Sequence, residues 1–65
     1  MTGKVKIYNK RKGYGIIDAD KDYFFRWTDI ISDSHKHCEV GETVSFIPYK
    51  DVKGMRAKQV QSIKG

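Results

Sequence analysis

Hydrophobic and polar residues alternate along short stretches of this chain, and polar segments with glycine separate those stretches. The clearest alternation covers residues 43–48 (TVSFIP), where Val44 and Phe46 share one face of an extended chain. Further β-prone stretches cover residues 4–8, 14–17, 23–27 and 56–63. A helical turn is expected only at residues 28–31. The pattern therefore predicts five short strands and an all-β fold.

The connecting segments limit how these strands are arranged. Turns and loops are predicted at residues 9–13, 18–22, 32–39 and 51–54, of which 32–39 is the longest. Pro48 predicts that the fourth strand lies at an edge or stops pairing there. Val60 and Ile63 are the core candidates of the closing strand. Five strands without a repeat predict a small antiparallel barrel over residues 1–65, and both OB-type and SH3-like barrels fit.

The size and residue types exclude several classes of protein. Sixty-five residues suffice for one domain with a modest core, and the single cysteine, Cys38, cannot form an intrachain disulfide. Residues 35–38 (HKHC) crowd three potential ligands together without a second cluster, so no metal site is expected. Three alternating aspartates lack the glycine and distal glutamate of a calcium loop: Asp18, Asp20 and Asp22. No cofactor is implied, and no nucleophile–base pair supports catalysis, so the protein is not expected to be an enzyme.

The charge balance indicates the kind of partner. The formal net charge is +5 and the sequence pI is about 9.5, which favours a polyanion. No apolar run is long enough to span a membrane, and no basic amphipathic helix is visible. The first residues lack the apolar stretch of a signal peptide. We therefore expect a cytoplasmic protein whose partner is a nucleic acid rather than a membrane or a small-molecule substrate.

Aromatic and basic residues share one face of the second and third predicted strands. Residues 12–17 (KGYGII) match the Lys/Arg-Gly-aromatic-Gly start of a ribonucleoprotein motif, whose aromatics stack on bases. Tyr14 and Ile16 lie on one face of that strand. Residues 23–27 (YFFRW) cannot all be core. If Tyr23 and Phe25 point inward, Phe24 and Arg26 point outward. Trp27 then lies at the strand's end. Such a surface would stack bases and neutralise phosphates.

These motifs, in this order, resemble those of the bacterial cold-shock proteins. Residues 3–9 (GKVKIYN) are similar to the family's G-x-V-K-W-F-N, residues 12–17 to its K-G-F-G-F-I, and residues 23–30 (YFFRWTDI) to its V-F-V-H-F-S-A-I. Residues 41–46 (GETVSF) and 57–60 (AKQV) are similar to G-Q-x-V-S-F and A-A-N-V. The resemblance covers the whole chain. It implies a five-stranded antiparallel OB-type barrel that binds single-stranded RNA or DNA with little sequence preference.

The resemblance also implies particular contacts. The expected nucleic-acid-binding residues are Lys6, Tyr8, Lys12, Tyr14, Phe24, Arg26, Trp27 and His35. Secondary contacts are expected from Lys10, Arg11, Ile7, Ile16, Arg56 and Lys58. Ile7 stands where the family has an exposed tryptophan, and Ile16 where it has a stacking phenylalanine, so two stacking surfaces are lost. Arg26 replaces a histidine and keeps both charge and a planar group that stacks.

Several alternatives remain open at this point. Tyr8 belongs either to the edge of the aromatic surface or partly to the core, because strict alternation would leave Ile7 and Tyr8 on opposite faces and a bulge in the first strand would change that. Trp27 either stacks on a base or closes the barrel as a lid. An SH3-like barrel would bind a peptide instead, and a paralogue that keeps the fold would bind nucleic acid weakly. A monomer is expected, with strand exchange through residues 32–39 as the alternative.

Overall fold

Five strands account for most of the residues that the structure, a computed structural model, describes, namely 1–31 and 39–63. The strands are β1 (Thr2–Asn9), β2 (Tyr14–Asp18), β3 (Asp22–Arg26), β4 (Thr43–Asp51) and β5 (Gly54–Ser62). A single 3₁₀ turn (Trp27–Asp29) follows β3. The predictions for His35 and Cys38 lie outside the described residues.

The strands close into a barrel in the order β1-β2-β3-β5-β4. Four neighbouring pairs are antiparallel, and β3 pairs with β5 in parallel at Phe24 and Arg56. One parallel pair is unavoidable, because an odd number of strands cannot alternate in direction all the way around a closed barrel. The predicted all-β, five-stranded barrel is confirmed, with this one parallel pairing as its closing contact.

The core is formed by alternate residues of the strands and by one residue after the 3₁₀ turn. Its buried members are Val5, Ile17, Tyr23, Phe25, Ile30, Val44, Phe46, Ala57 and Val60. The predicted inward orientation of Tyr23 and Phe25 is confirmed, since they are 2% and 0% exposed. The core assignment of Ile63 was wrong: β5 ends at Ser62, and Ile63 lies beyond it, 42% exposed.

A bulge in β1 decides which of its side chains face outward. Val5 pairs with Ile17 but Ile7 pairs with Ile16, so Lys6 is an extra residue on β1. Val5 is buried, whereas Lys6 and Ile7 are both exposed. Tyr8 consequently packs against the core, where its ring lies parallel to that of Phe25 at a centroid distance of 5.9 Å. The bulge therefore turns Ile7 outward and Tyr8 inward.

The fourth strand continues past Pro48 to Asp51, so of the two alternatives predicted at Pro48, an edge position and an end of pairing, the end of pairing was wrong. Pro48 pairs with Ala57 of β5, whereas β1 pairs only with residues 43–45 of β4. In the described chain, Pro48 thus lies where β4 has a paired strand on one side only. A proline is tolerated at such an edge, because its missing N–H leaves no ladder hydrogen bond unmade.

A second bulge places Gln59 of β5 in an unfavourable backbone conformation. Ser45 pairs with Gln61 but Ile47 with Lys58, so β5 carries one extra residue between these pairs. Gln59 has φ of 52°, in the left-handed region. A residue with a Cβ is strained there, whereas asparagine tolerates it better because its short side chain bonds locally.

Replacing Gln59 with asparagine is therefore expected to raise the free energy of unfolding by about 0.5–1 kcal/mol. Thermal and urea denaturation followed by circular dichroism would measure the change. Gln61→Asn is the matched control, because Gln61 lies on the same strand with an ordinary extended backbone, and it should give no gain. An equal or lower stability of Gln59→Asn would show that the left-handed residue carries no strain.

Candidate nucleic-acid interface

One outward surface of the barrel is built from β1, β2 and β3. Ile7 pairs with Ile16, Ile16 with Phe24, and Tyr14 with Arg26, so the register places these side chains side by side on the outside of the sheet. We refer to these five residues as the stacking face. The rings of Tyr14 and Phe24 are nearly parallel, 5.5 Å apart at 25°. The structure thus brings together the aromatic pair that the alternation in β2 and β3 predicted.

Phe24 lies between an aromatic ring and a cation. The strands on its two sides are β2, which carries Tyr14, and β5, whose Arg56 guanidinium carbon lies 4.9 Å from the centroid of the Phe24 ring. The Arg56 side chain is only 15% exposed, and its Nη1 donates to Asp51 Oδ2 at 3.2 Å. Its Nε is buried without a hydrogen-bond partner among the described residues. Arg56 therefore supports the Phe24 ring, and a phosphate contact from it would compete with Asp51.

The loop between β1 and β2, which we call the basic loop, presents three consecutive cations, residues 10–12, which are all exposed. Asn9 shapes this loop, because its Oδ1 accepts the Lys12 N–H at 3.0 Å and its carbonyl oxygen accepts the Gly13 N–H at 2.8 Å. Gly13 has φ of +71°, a conformation that favours glycine. The turn thereby holds its positive charges beside the end of β2 that carries Tyr14, next to Arg26.

Trp27 begins the 3₁₀ turn rather than ending the third strand, so that part of the prediction was wrong. The Asp29 carboxylate accepts the Arg26 N–H at 2.9 Å, which turns the chain at this point. The backbone N–H of Trp27 donates to the Gly13 carbonyl oxygen at 2.8 Å. The indole ring packs so closely on Gly13 that a Cβ at residue 13 would overlap it. Because Trp27 is still 48% exposed, the indole covers Gly13 and also presents surface to solvent beside the basic loop.

The remaining predicted contacts lie in different surroundings. Lys6 is exposed, and its Nζ lies 3.2 Å from Asp22 Oδ2, a pair whose side chains are 50% and 54% exposed. Exposed pairs of this kind are weak, so Lys6 can exchange Asp22 for a phosphate. Tyr8 is half-buried against Phe25, away from the stacking face. His35 lies outside the described residues. Lys58 lies outward on β5, and its Nζ is 5.5 Å from the Tyr49 ring centroid.

Charge is distributed unevenly along β2 and β3. The end near the β1–β2 loop is basic, whereas the β2–β3 turn at the other end carries Asp18, Asp20 and Asp22. Asp20 accepts a hydrogen bond from the Tyr23 hydroxyl at 2.7 Å. That bond, together with burial and the carboxylate's charge, raises the pKa of Tyr23 above its ordinary value, so the phenol remains a neutral donor. The β2–β3 turn also carries Lys21, and Lys6 pairs with Asp22, so a polyanion is attracted more strongly to the basic end of the surface than to this one.

Tyr49 is a candidate that the sequence reasoning missed. It lies outward on the part of β4 beyond Pro48, and it pairs with Arg56. The signal was present, because the alternation of residues 45, 47 and 49 continues past the proline.

The described residues show neither of two other kinds of site. Within residues 1–31 and 39–63, no three His, Cys, Asp or Glu side chains converge as metal ligands. No helix in the same part of the chain is long and apolar enough to cross a bilayer.

Comparison with known proteins identifies the family. Residues 1–63 match the model of the 'Cold-shock' DNA-binding domain. The chain is 42% identical to the cold shock protein CapB of Pseudomonas syringae pv. tomato, over 97% of this chain and 94% of the relative. It is 42% identical to a cold shock-like protein of Aquifex aeolicus, over 94% and 91%, and 38% identical to the cold shock-like protein CspA of Vibrio cholerae, over 97% and 94%.

A solved structure supports the fold independently. Drosophila Unr CSD456 superposes with a TM-score of 0.78 at 15% identity, over 97% of this chain and 26% of that longer one. The fold and the family together decide against the SH3-like alternative. From residues 1 to 63, this chain belongs to the cold-shock domain family, whose members bind nucleic acid and are not enzymes.

Proposed function

We propose that this protein binds single-stranded RNA or DNA on the stacking face, with little sequence preference. The observation that carries the proposal is the outward pair of Tyr14 and Phe24 beside Arg26 and the basic loop. Aromatic rings accept any base by stacking, while nearby cations neutralise the phosphates. Direct contacts are proposed for Lys6, Lys12, Tyr14, Phe24, Arg26 and Trp27, with Lys10 and Arg11 as secondary phosphate contacts.

Electrostatic attraction is proposed to contribute more to binding here than in relatives that follow the family motif. Ile7 and Ile16 occupy the stacking face where that motif has aromatic residues, and an aliphatic side chain offers no ring to a base. Each base stacked on an aromatic ring is worth roughly 1–3 kcal/mol. Arg26 compensates in part, because its guanidinium both stacks and remains charged at any physiological pH. The net charge of +5 acts in the same direction.

This mode of binding has a consequence for structured RNA. A protein that binds only the open strand shifts the equilibrium away from weak base pairing. We therefore propose that the protein acts as an RNA chaperone or a regulator of expression, as a monomer formed by one domain over residues 1–65. The cytoplasm is its proposed location.

Titration with oligo-dT, oligo-U and a duplex of equal length, each at several salt concentrations, tests the proposal. Both single strands are expected to bind more tightly than the duplex. The slope of log K against log salt should be about −2 to −3.5 if three to five phosphates are neutralised. Absence of binding at low salt would overturn the proposal and indicate a paralogue that keeps the fold but has lost strong nucleic-acid binding. Binding without salt dependence would contradict the proposed phosphate contacts.

Trp27 supplies a built-in optical signal for the same titration. Because the indole is 48% exposed beside the basic loop, a base stacked on it should quench its fluorescence. Calorimetry of the same samples measures binding independently. An unchanged emission spectrum at calorimetric saturation would remove Trp27 from the interface without affecting the remaining contacts.

Restoring the two missing aromatics should tighten binding. Ile7→Trp and Ile16→Phe each place a ring on the stacking face, in register with each other and with Phe24. The gain expected for each is about 1 kcal/mol or more, measured by titration with oligo-dT. Ile63→Phe is the matched control, because it adds a ring at a 42% exposed position beyond the end of β5, outside both the stacking face and residues 49–58. Equal affinity of the two restored variants and the original protein would show that this surface does not stack bases.

A further inference from the structure

The row of outward side chains that contains Phe24 continues beyond β3. Phe24 pairs with Arg56 of β5, and Arg56 pairs with Tyr49 of β4. In the other direction, Phe24 pairs with Ile16, and Ile16 with Ile7. One register row therefore crosses all five strands of the barrel, with an aromatic ring on each side of Arg56. Two strand spacings put Tyr49 about 10 Å across the sheet from Phe24.

The surroundings of Tyr49 suit a base. Its ring is half-buried on the outer face, and the Lys58 Nζ lies 5.5 Å from its centroid. Lys58 is exposed, and a cation–π contact at an exposed site is weak. The flexible ammonium can therefore move to a phosphate and leave the face of the ring to a base. Arg56, fixed beside it by Asp51, keeps a positive charge between the two rings.

The β4–β5 hairpin has the charge that a nucleic-acid strand requires. Between residues 49 and 58 it carries four cations, Lys50, Lys53, Arg56 and Lys58, against the single acid Asp51. This positive charge is continuous with the stacking face through Arg56. A polyphosphate chain that leaves Phe24 would thus meet attraction on this side of the barrel, in contrast to the acidic β2–β3 turn.

We propose that Tyr49, with Arg56 and Lys58, forms a second stacking subsite that takes a further base of the same single strand. This inference rests on the proposed function and extends its interface from β3 across β5 to β4. Because the subsite lies about 10 Å from Phe24, only an oligonucleotide long enough to cover both positions uses it.

The test is a length series of oligo-dT, from about 4 to 12 nucleotides, titrated against the original protein and Tyr49→Ala. The longer oligonucleotides should lose about fivefold or more in affinity with Tyr49→Ala, whereas the shortest should bind unchanged. Tyr49→Phe, which keeps a ring, should bind every length as tightly as the original protein does. Lys58→Ala should weaken only the longer oligonucleotides and lower their salt slope, and Lys21→Ala, in the acidic turn, should do neither.

The outcomes separate the subsite from the proposed function. If Tyr49→Ala binds each length as tightly as the original protein does, the subsite does not exist although the stacking face does. If Tyr49→Ala weakens all lengths by the same factor while its melting temperature falls, Tyr49 has a structural role and the subsite is also rejected. If the original protein binds no length at all, the proposed function itself fails. Photo-crosslinking of a long oligonucleotide that contains 4-thiothymidine should label residues 49–58 in the original protein, and absence of that label contradicts the subsite.

Discussion

Replacing Phe25 with alanine is expected to leave much of the protein unfolded at 25 °C. The Phe25 ring is fully buried and lies against the ring of Tyr8. It also lies under Gly15, where an added Cβ would come within 2.8 Å of it. Removing a buried phenylalanine costs about 3–5 kcal/mol, and a domain of this length is stable by only about 3–10 kcal/mol. Urea denaturation followed by circular dichroism measures the loss.

Phe24→Ala is the matched control for that experiment. It is the same substitution at the neighbouring position, but Phe24 lies on the outer face of β3, so its loss should cost much less stability. A melting temperature that falls equally in both variants would contradict the assignment of opposite faces. A folded, stable Phe25→Ala would show that the core does not depend on this ring.

Phe24→Ala is in turn expected to reduce affinity for oligo-dT by about 5- to 150-fold, which corresponds to roughly 1–3 kcal/mol. The ring that stacks on Tyr14 and lies under the Arg56 guanidinium is lost, but no cation is removed. The slope of log K against log salt should therefore stay the same. Arg26→Ala removes a cation, and its slope should become shallower by up to about 0.7. Titrations at several salt concentrations distinguish the two signatures.

Two further variants serve as controls for this comparison. Phe24→Tyr keeps a ring and should bind like the original protein, which separates the loss of stacking from a local change in packing. Lys21→Ala, in the acidic turn, removes a cation far from the basic loop and should leave the slope unchanged. If Phe24→Ala binds normally while its fold is intact, bases do not stack on β2 and β3.

The fold was largely predictable because alternation of apolar and polar residues is a local signal. It placed Val44, Phe46, Tyr23 and Phe25 in the core, where the structure has them. It failed where the period of two is broken. A bulge adds one residue to a strand, and the sequence alone does not show which residue that is, so the orientation of Tyr8 stayed open.

The candidate site was predictable to the extent that its residues share a strand. Phe24 and Arg26 follow directly from the alternation within β3, as Tyr14 and Ile16 do within β2, and the register places the four side chains next to one another. Contacts between distant strands were not visible. The position of Arg56 over Phe24 depends on the parallel pairing that closes the barrel. Tyr49 was missed because the predicted strand stops at Pro48, whereas an edge position tolerates the proline and β4 continues to Asp51.

The central claim, that the outer face of β1–β3 holds the nucleic acid, is tested most directly by chemical-shift mapping of the ¹⁵N-labelled protein with oligo-dT. The largest amide shift changes are expected in residues 14–16 and 24–27 and in the basic loop at residues 10–12. Residues 19–21, in the acidic turn, should change little. Shift changes confined to other parts of the barrel, or none at a concentration where calorimetry shows binding, would contradict the account.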